Sequence, residues 1–91
     1  MRHVKVKVKG QVQGVGFRYF TQHAASDNAI AGWVRNEDDG SVLIEAQGEE
    51  QNMDAFLKEV EQGPTKFARV QDMELTELEE DAGLTKFEVK Y

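Results

Sequence analysis

From His3 to Lys9 the chain reads His-Val-Lys-Val-Lys-Val-Lys, valine and lysine in strict alternation. Side chains of an extended chain point to opposite faces in turn, so this run is a half-buried strand with Val4, Val6 and Val8 inward and Lys5, Lys7 and Lys9 outward. The pattern breaks at Gly10-Gln11-Val12-Gln13-Gly14-Val15-Gly16, which holds three glycines. It resumes at helical spacing: Phe17, Phe20, Thr21, Ala24 and Ala25 share one face of a helix spanning roughly residues 17 to 28. A strand that turns through glycine into a helix predicts layers of helix and sheet.

Asp27-Asn28 is a helix stop, Ile30 to Asn36 is a short β-rich run, and Val42 to Gln47 alternates with Val42, Ile44 and Ala46 on one side. Between the two runs lies Glu37-Asp38-Asp39-Gly40, where Asp-Gly tolerates the positive φ of a tight turn and predicts an antiparallel hairpin. Met53, Phe56, Leu57 and Val60 repeat at i, i+3, i+4 and i+7 in a second helix closed by Gly63-Pro64. A fourth strand is expected within residues 66 to 78 around Val70, Met73 and Leu75, where the alternation slips. The acidic stretch Glu77 to Asp81, followed by Gly83, reads as a solvated loop, and Phe87, Val89 and Tyr91 alternate in a last strand.

The order is β-α-β-β-α-β with a terminal extra strand. It predicts an α/β (α+β) sandwich of ferredoxin-like βαββαβ type: an antiparallel sheet of four to five strands with two helices on one face, one domain over residues 1–91. Strands one and two then run parallel with strand three between them, through a right-handed crossover. The ends of strands one and two should lie on one sheet edge about 10 Å apart, a gap an arginine side chain spans.

Eleven basic and seventeen acidic side chains give a net charge of −6, which opposes general attraction to nucleic acid or anionic lipid. Lys5, Lys7 and Lys9 therefore read as a solvated face in preference to a nucleic-acid stripe. The absence of cysteine removes disulfides, thiolate zinc sites and thiol nucleophiles, and suits a reducing cytoplasm. The first residues show strand alternation where a secretory signal would show an unbroken apolar stretch, and no run reaches membrane-spanning length. His3 and His23 are the two histidines, without paired ligand spacing, so no metal site is expected. Ser26 and Ser41 lack a nucleophile-elbow setting, and His23 reads as a helix-surface residue.

Gly10 to Gly16, closing on Phe17-Arg18 at a helix start, has the parts of an anion cradle. Glycine lets successive N–H groups turn inward, a helix N-terminus adds free donors, and a guanidinium matches phosphate oxygens in pairs. An equal reading is that the glycines turn the chain and Arg18 lies along the surface. Gly14-Val15-Gly16-Phe17-Arg18-Tyr19 has tyrosine where a dinucleotide fingerprint needs glycine or alanine, and no Gly-Lys-Ser/Thr occurs. Asn36 is commonly a turn residue in such a place. On Arg18's sheet edge its amide would also be suited to hold a water against a phosphoryl group without titrating.

Val8-x-Gly10-x-Val12-Gln13-Gly14-Val15-Gly16-Phe17-Arg18 resembles the first signature of the acylphosphatases, and Gly32-Trp33-Val34-Arg35-Asn36-x-x-x-Gly40-Ser41-Val42, continuing to Gly48, resembles their second. The resemblance implies hydrolysis of small acyl phosphates without metal or cofactor. It implies that Arg18 binds the phosphate, that the loop Gln13, Gly14, Val15, Gly16 and Phe17 contributes backbone donors, and that Asn36 positions the attacking water. It further implies a small-molecule substrate, with inorganic phosphate as product and inhibitor; the acidic charge argues against a nucleic-acid or membrane partner, the lack of cysteine suits the cytoplasm, and a monomer is the default expectation. The alternative is a non-catalytic anion-binding or protein-interaction module of the same fold, for which a water-positioning amide has little use. Trp33 and Tyr91 read as packing or edge residues.

Overall fold

In a computed structural model, which describes residues 1–14, 16–63, 68–79 and 83–91, the chain forms β1 (Arg2–Gln11), α1 (Phe17–Asp27), β2 (Ala31–Asn36), β3 (Val42–Gly48), α2 (Glu50–Gln62), β4 (Arg69–Leu78) and β5 (Phe87–Lys90). Val15, the Pro64 of the second helix stop, the first part of the fourth-strand region and the Glu80–Asp81 part of the acidic loop lie outside the described residues.

The five strands make one sheet in the order β4-β1-β3-β2-β5. β1 and β2 are parallel to each other with β3 antiparallel between them, as the helix crossover requires. The sheet is mixed where an antiparallel one was expected, because β5 pairs parallel with β2. Val4, Val6, Val8, Val34, Val42, Ile44 and Ala46 are buried on one face beneath both helices. α1 adds Phe17, Thr21, Ala24 and Ala25. α2 adds Met53, Phe56 and Val60, and the Phe56 ring meets Phe87 edge-on. α1 lies over β2 and β5, and α2 over β3 and β4.

Two local features have direct physical causes. Glu37 N–H donates to the Ser41 carbonyl at 2.9 Å and Gly40 N–H to the Glu37 carbonyl at 3.2 Å, closing the β2–β3 turn with Gly40 at φ 90°. On the other edge, Lys9 pairs with Asp72 but Gly10 pairs with Val70, so Gln71 is an extra residue in a β-bulge. That bulge is the slip seen in the alternation: Val70 and Met73 face the core side three residues apart. β4 also runs on through Glu77 and Leu78, which pair with Val4 and His3, so these two residues are strand and not loop. The Arg2 guanidinium holds Glu77 at 2.7 Å and Asp54 of α2 at 2.9 Å, giving that carboxylate a partner within the sheet.

Candidate active site

The strand registers bring the two motifs to one edge. Val42 is the partner of Val8 on one side and of Asn36 on the other, so Asn36 lies two strand spacings, about 10 Å, from Val8. The glycine-rich segment leaves β1 at that edge. By alternation Asn36 shares the face of buried Val34, the face α1 covers. Its Oδ1 is buried and, among the described residues, accepts no hydrogen bond. A buried acceptor left without a donor costs about 1–3 kcal/mol, so the position calls for a donor such as water.

α1 begins at the end of the glycine segment. Gly14 has φ 74° and Gly16, its N-cap, φ 77° and ψ 17°, the left-handed conformation that favours glycine. No side-chain cap and no first-turn acid occupy the helix start among the described residues. The first intrahelical bond is Phe20 N–H to the Gly16 carbonyl at 3.0 Å, which leaves the earlier N–H groups of the turn without helical partners. Phe17 is buried, and its carbonyl accepts the Thr21 hydroxyl at 2.8 Å, locking the first turn onto the core.

Arg18, half-buried in that turn, reaches across to the end of β5. Its Nη1 donates to the Lys90 carbonyl at 3.1 Å, and the guanidinium stacks 4.6 Å from the centre of the Tyr91 ring. Lys90 is the parallel partner of Arg35, the residue before Asn36. The guanidinium is therefore seated at the end of the strand that flanks β2, on the edge where Asn36 lies. One of its five donors is used by Lys90, leaving a planar fork for an anion. Tyr91 is held in turn by a hydroxyl–hydroxyl hydrogen bond to Tyr19, which raises its phenol above the usual range and keeps it neutral. This support from β5 had no signal in the sequence beyond the alternation ending at Tyr91.

Gln13 presents its side chain to the hairpin instead of the loop interior, donating to the Glu37 and Ser41 carbonyls. Asp39 accepts from Ser41 Oγ at 2.5 Å and Ser41 N–H at 3.0 Å, and pairs with Lys7 at 2.8 Å. The Lys7 hydrogen bond first, and then those from Ser41, hold its carboxyl far below the ordinary carboxylate range. On the open sheet face Trp33 lies under both Arg35 and Lys90, at 5.0 and 4.9 Å, so this edge carries three cations in a chain of net charge −6. His23 is exposed on α1. A groove of about 580 Å³ lined by His23, Ser26 and Lys86 lies near the other end of α1 and includes none of the motif residues. Among the described residues no group of three or more His, Asp or Glu side chains is placed to hold a metal ion, and no helix is long and apolar enough to cross a membrane.

The acylphosphatase family model matches residues 4–89. An acylphosphatase of Oceanobacillus iheyensis is 82% identical over 91 residues, all of both chains. The crystal structure of acylphosphatase from Bacillus subtilis superposes with a TM-score of 0.95 at 42% identity over the whole of both chains. An acylphosphatase structure from Coxiella burnetii gives 0.87 at 31% identity, covering 98% of this chain and 92% of that one. With both signatures on one sheet edge and these likenesses spanning its length, the chain belongs to the acylphosphatase family, hydrolases that act on acyl phosphates.

Proposed function

We propose that the edge described above is the catalytic centre, with Arg18 and the backbone N–H groups of Gln13 to Phe17 holding the phosphoryl group and Asn36 aiming water at phosphorus. The observation that carries this reading is the buried Asn36 Oδ1, which has no hydrogen-bond partner among the described residues and lies on the edge where the Arg18 guanidinium sits. A water that donates one hydrogen to Oδ1 has its lone pair directed elsewhere, toward an anion gripped by Arg18. Its oxygen attacks phosphorus in line, the bond from phosphorus to the acyl oxygen breaks, and a carboxylate departs with the electron pair. The water's proton passes to a phosphoryl oxygen, so the products are carboxylate and inorganic phosphate. A carboxylate is a weakly basic leaving group, so neither a strong acid nor a covalent intermediate is needed.

Asn36→Ala should lower turnover of acetyl or benzoyl phosphate by about 10²-fold, the scale of losing nucleophile orientation. Competitive inhibition by inorganic phosphate should stay within about threefold of wild type, since the amide does not grip the phosphate. Near-normal turnover would remove Asn36 from the mechanism. The purified enzyme should also keep full activity in excess chelator, since this scheme assigns its charge stabilisation to Arg18 and the amides. A deep loss there, restored by added metal, would count against the scheme. The same reading takes the chain as one domain over residues 1–91 that works as a monomer in the cytoplasm, without cofactor, nucleic-acid or membrane partner. The net charge of −6 and the lack of cysteine support it.

A further inference from the structure

We propose that Gln13 is a positioning residue that fixes the distance between the phosphate loop and Asn36; this rests on the site assignment above. Its Nε2 donates to the Glu37 carbonyl and to the Ser41 carbonyl, both at 2.8 Å. An amide nitrogen carries two hydrogens, and each meets one acceptor. Those acceptors are the two carbonyls whose backbone hydrogen bonds close the β2–β3 turn, so Gln13 grips the hairpin at its closure. Glu37 directly follows Asn36, and Gln13 directly precedes Gly14. A single side chain thus joins the peptide beside the water-orienting amide to the peptide beside the first cradle glycine.

The loop has need of such a tether. A Cβ built at Gly14 or Gly16 meets nothing within 4 Å, so packing does not wedge the loop at either position. Asn36, by contrast, is held by the β3 ladder on one side and by β5 next to it. With one partner in a rigid sheet and the other in an open loop, the clamp sets how far the phosphorus stands from the water. A misplacement of about 1 Å can cost about 10²-fold in rate. The loop carries its own donors wherever it sits, so loss of the clamp should strike turnover and spare phosphate affinity.

The test compares wild type with Gln13→Leu, Gln13→Lys and Gln13→Glu in kcat, KM, inhibition by inorganic phosphate and thermal unfolding. Gln13→Leu should lose about 10- to 100-fold in kcat with the phosphate inhibition constant within about threefold. Gln13→Lys, whose ammonium donates to both carbonyls, should recover most of that loss at equal stability. Gln13→Glu places a carboxylate against two carbonyl oxygens at neutral pH. Protonation lets it donate one hydrogen bond, so its kcat relative to wild type should rise as pH falls, beginning above the ordinary glutamate value of about 4.3. A merely structural role would not produce that profile. The inference is overturned if Gln13→Leu keeps kcat within about twofold, if its loss only follows unfolding at the assay temperature, or if the Gln13→Glu ratio is flat with pH. Failure of the site assignment reads differently: normal turnover in Asn36→Ala beside a slow Gln13→Leu removes the water-positioning role and keeps the clamp.

Discussion

Arg18→Gln is expected to lower kcat/KM for acetyl phosphate by about 10²- to 10³-fold, equivalent to about 3–4 kcal/mol of transition-state stabilisation. Glutamine keeps a hydrogen-bonding head but has neither the charge nor the paired geometry that meets two phosphoryl oxygens at once. The same substitution should greatly weaken competitive inhibition by inorganic phosphate, which distinguishes it from Asn36→Ala. Thermal stability should change little, because Arg18 contributes one hydrogen bond to Lys90 and a stack on exposed Tyr91, and no core packing. Inhibition assays across phosphate concentration decide the matter: identical inhibition constants in wild type and Arg18→Gln would refute the phosphate-binding role.

Gly32→Ala should be the most damaging single substitution to the fold. Gly32 lies in β2, between β3 and β5, with φ 149°, and a Cβ there would stand 1.8 Å from the Glu45 carbonyl oxygen and 2.8 Å from its carbon. The obstacle is backbone of the central ladder, which no rotamer change relieves. Relaxation requires β2 to leave β3, and with it Asn36 and the seat of Arg18. A loss of about 4 kcal/mol or more is expected against a total stability of about 5–14 kcal/mol for a chain of this size. That corresponds to a fall in Tm of about 20 °C or greater. Gly40→Ala is the matched control. Its Cβ would meet nothing within 4 Å, so its cost is confined to the left-handed backbone, about 1–2 kcal/mol. A Gly32→Ala protein melting close to wild type would contradict the strand register described here.

The hairpin at Glu37 to Gly40 was legible in the sequence because its chemistry is local: Asp-Gly states its own backbone preference. The proximity of the two motifs was legible at one remove, since a right-handed crossover with an inserted strand dictates which strand ends share an edge. Val42 pairing with both Val8 and Asn36 bears that reasoning out. What escaped were matters of partnership. The slip at Val70 and Met73 is visible in the sequence, but only β1 opposite it, with Gly10 approaching the Arg69 carbonyl, reveals a bulge. Glu77 looks like loop until Arg2 reaches it from 75 positions away. Arg18's support by Lys90, 72 positions away, and by Tyr91 depends on the parallel pairing of β5 with β2, which no nearby residue encodes. Gln13 belongs to the same class: its position beside the glycines suggested the loop, and its side chain serves the hairpin.

The insertion of β3 between β1 and β2 also governs when during folding this chemistry becomes available. Arg18 and Asn36 are both present once β1, α1 and β2 have formed, yet the strand ends that carry them gain their spacing only when β3 slides between them. β1 must further wait for β4, whose residues pair with it across more than 55 positions. Loops of that length are closed late, and sheets dominated by distant pairing fold on the millisecond-to-second scale. On the proposed site assignment a half-assembled chain carries Arg18 and Asn36 and should be inert, so that the return of hydrolysis after dilution from denaturant is expected to report the threading of the central strand.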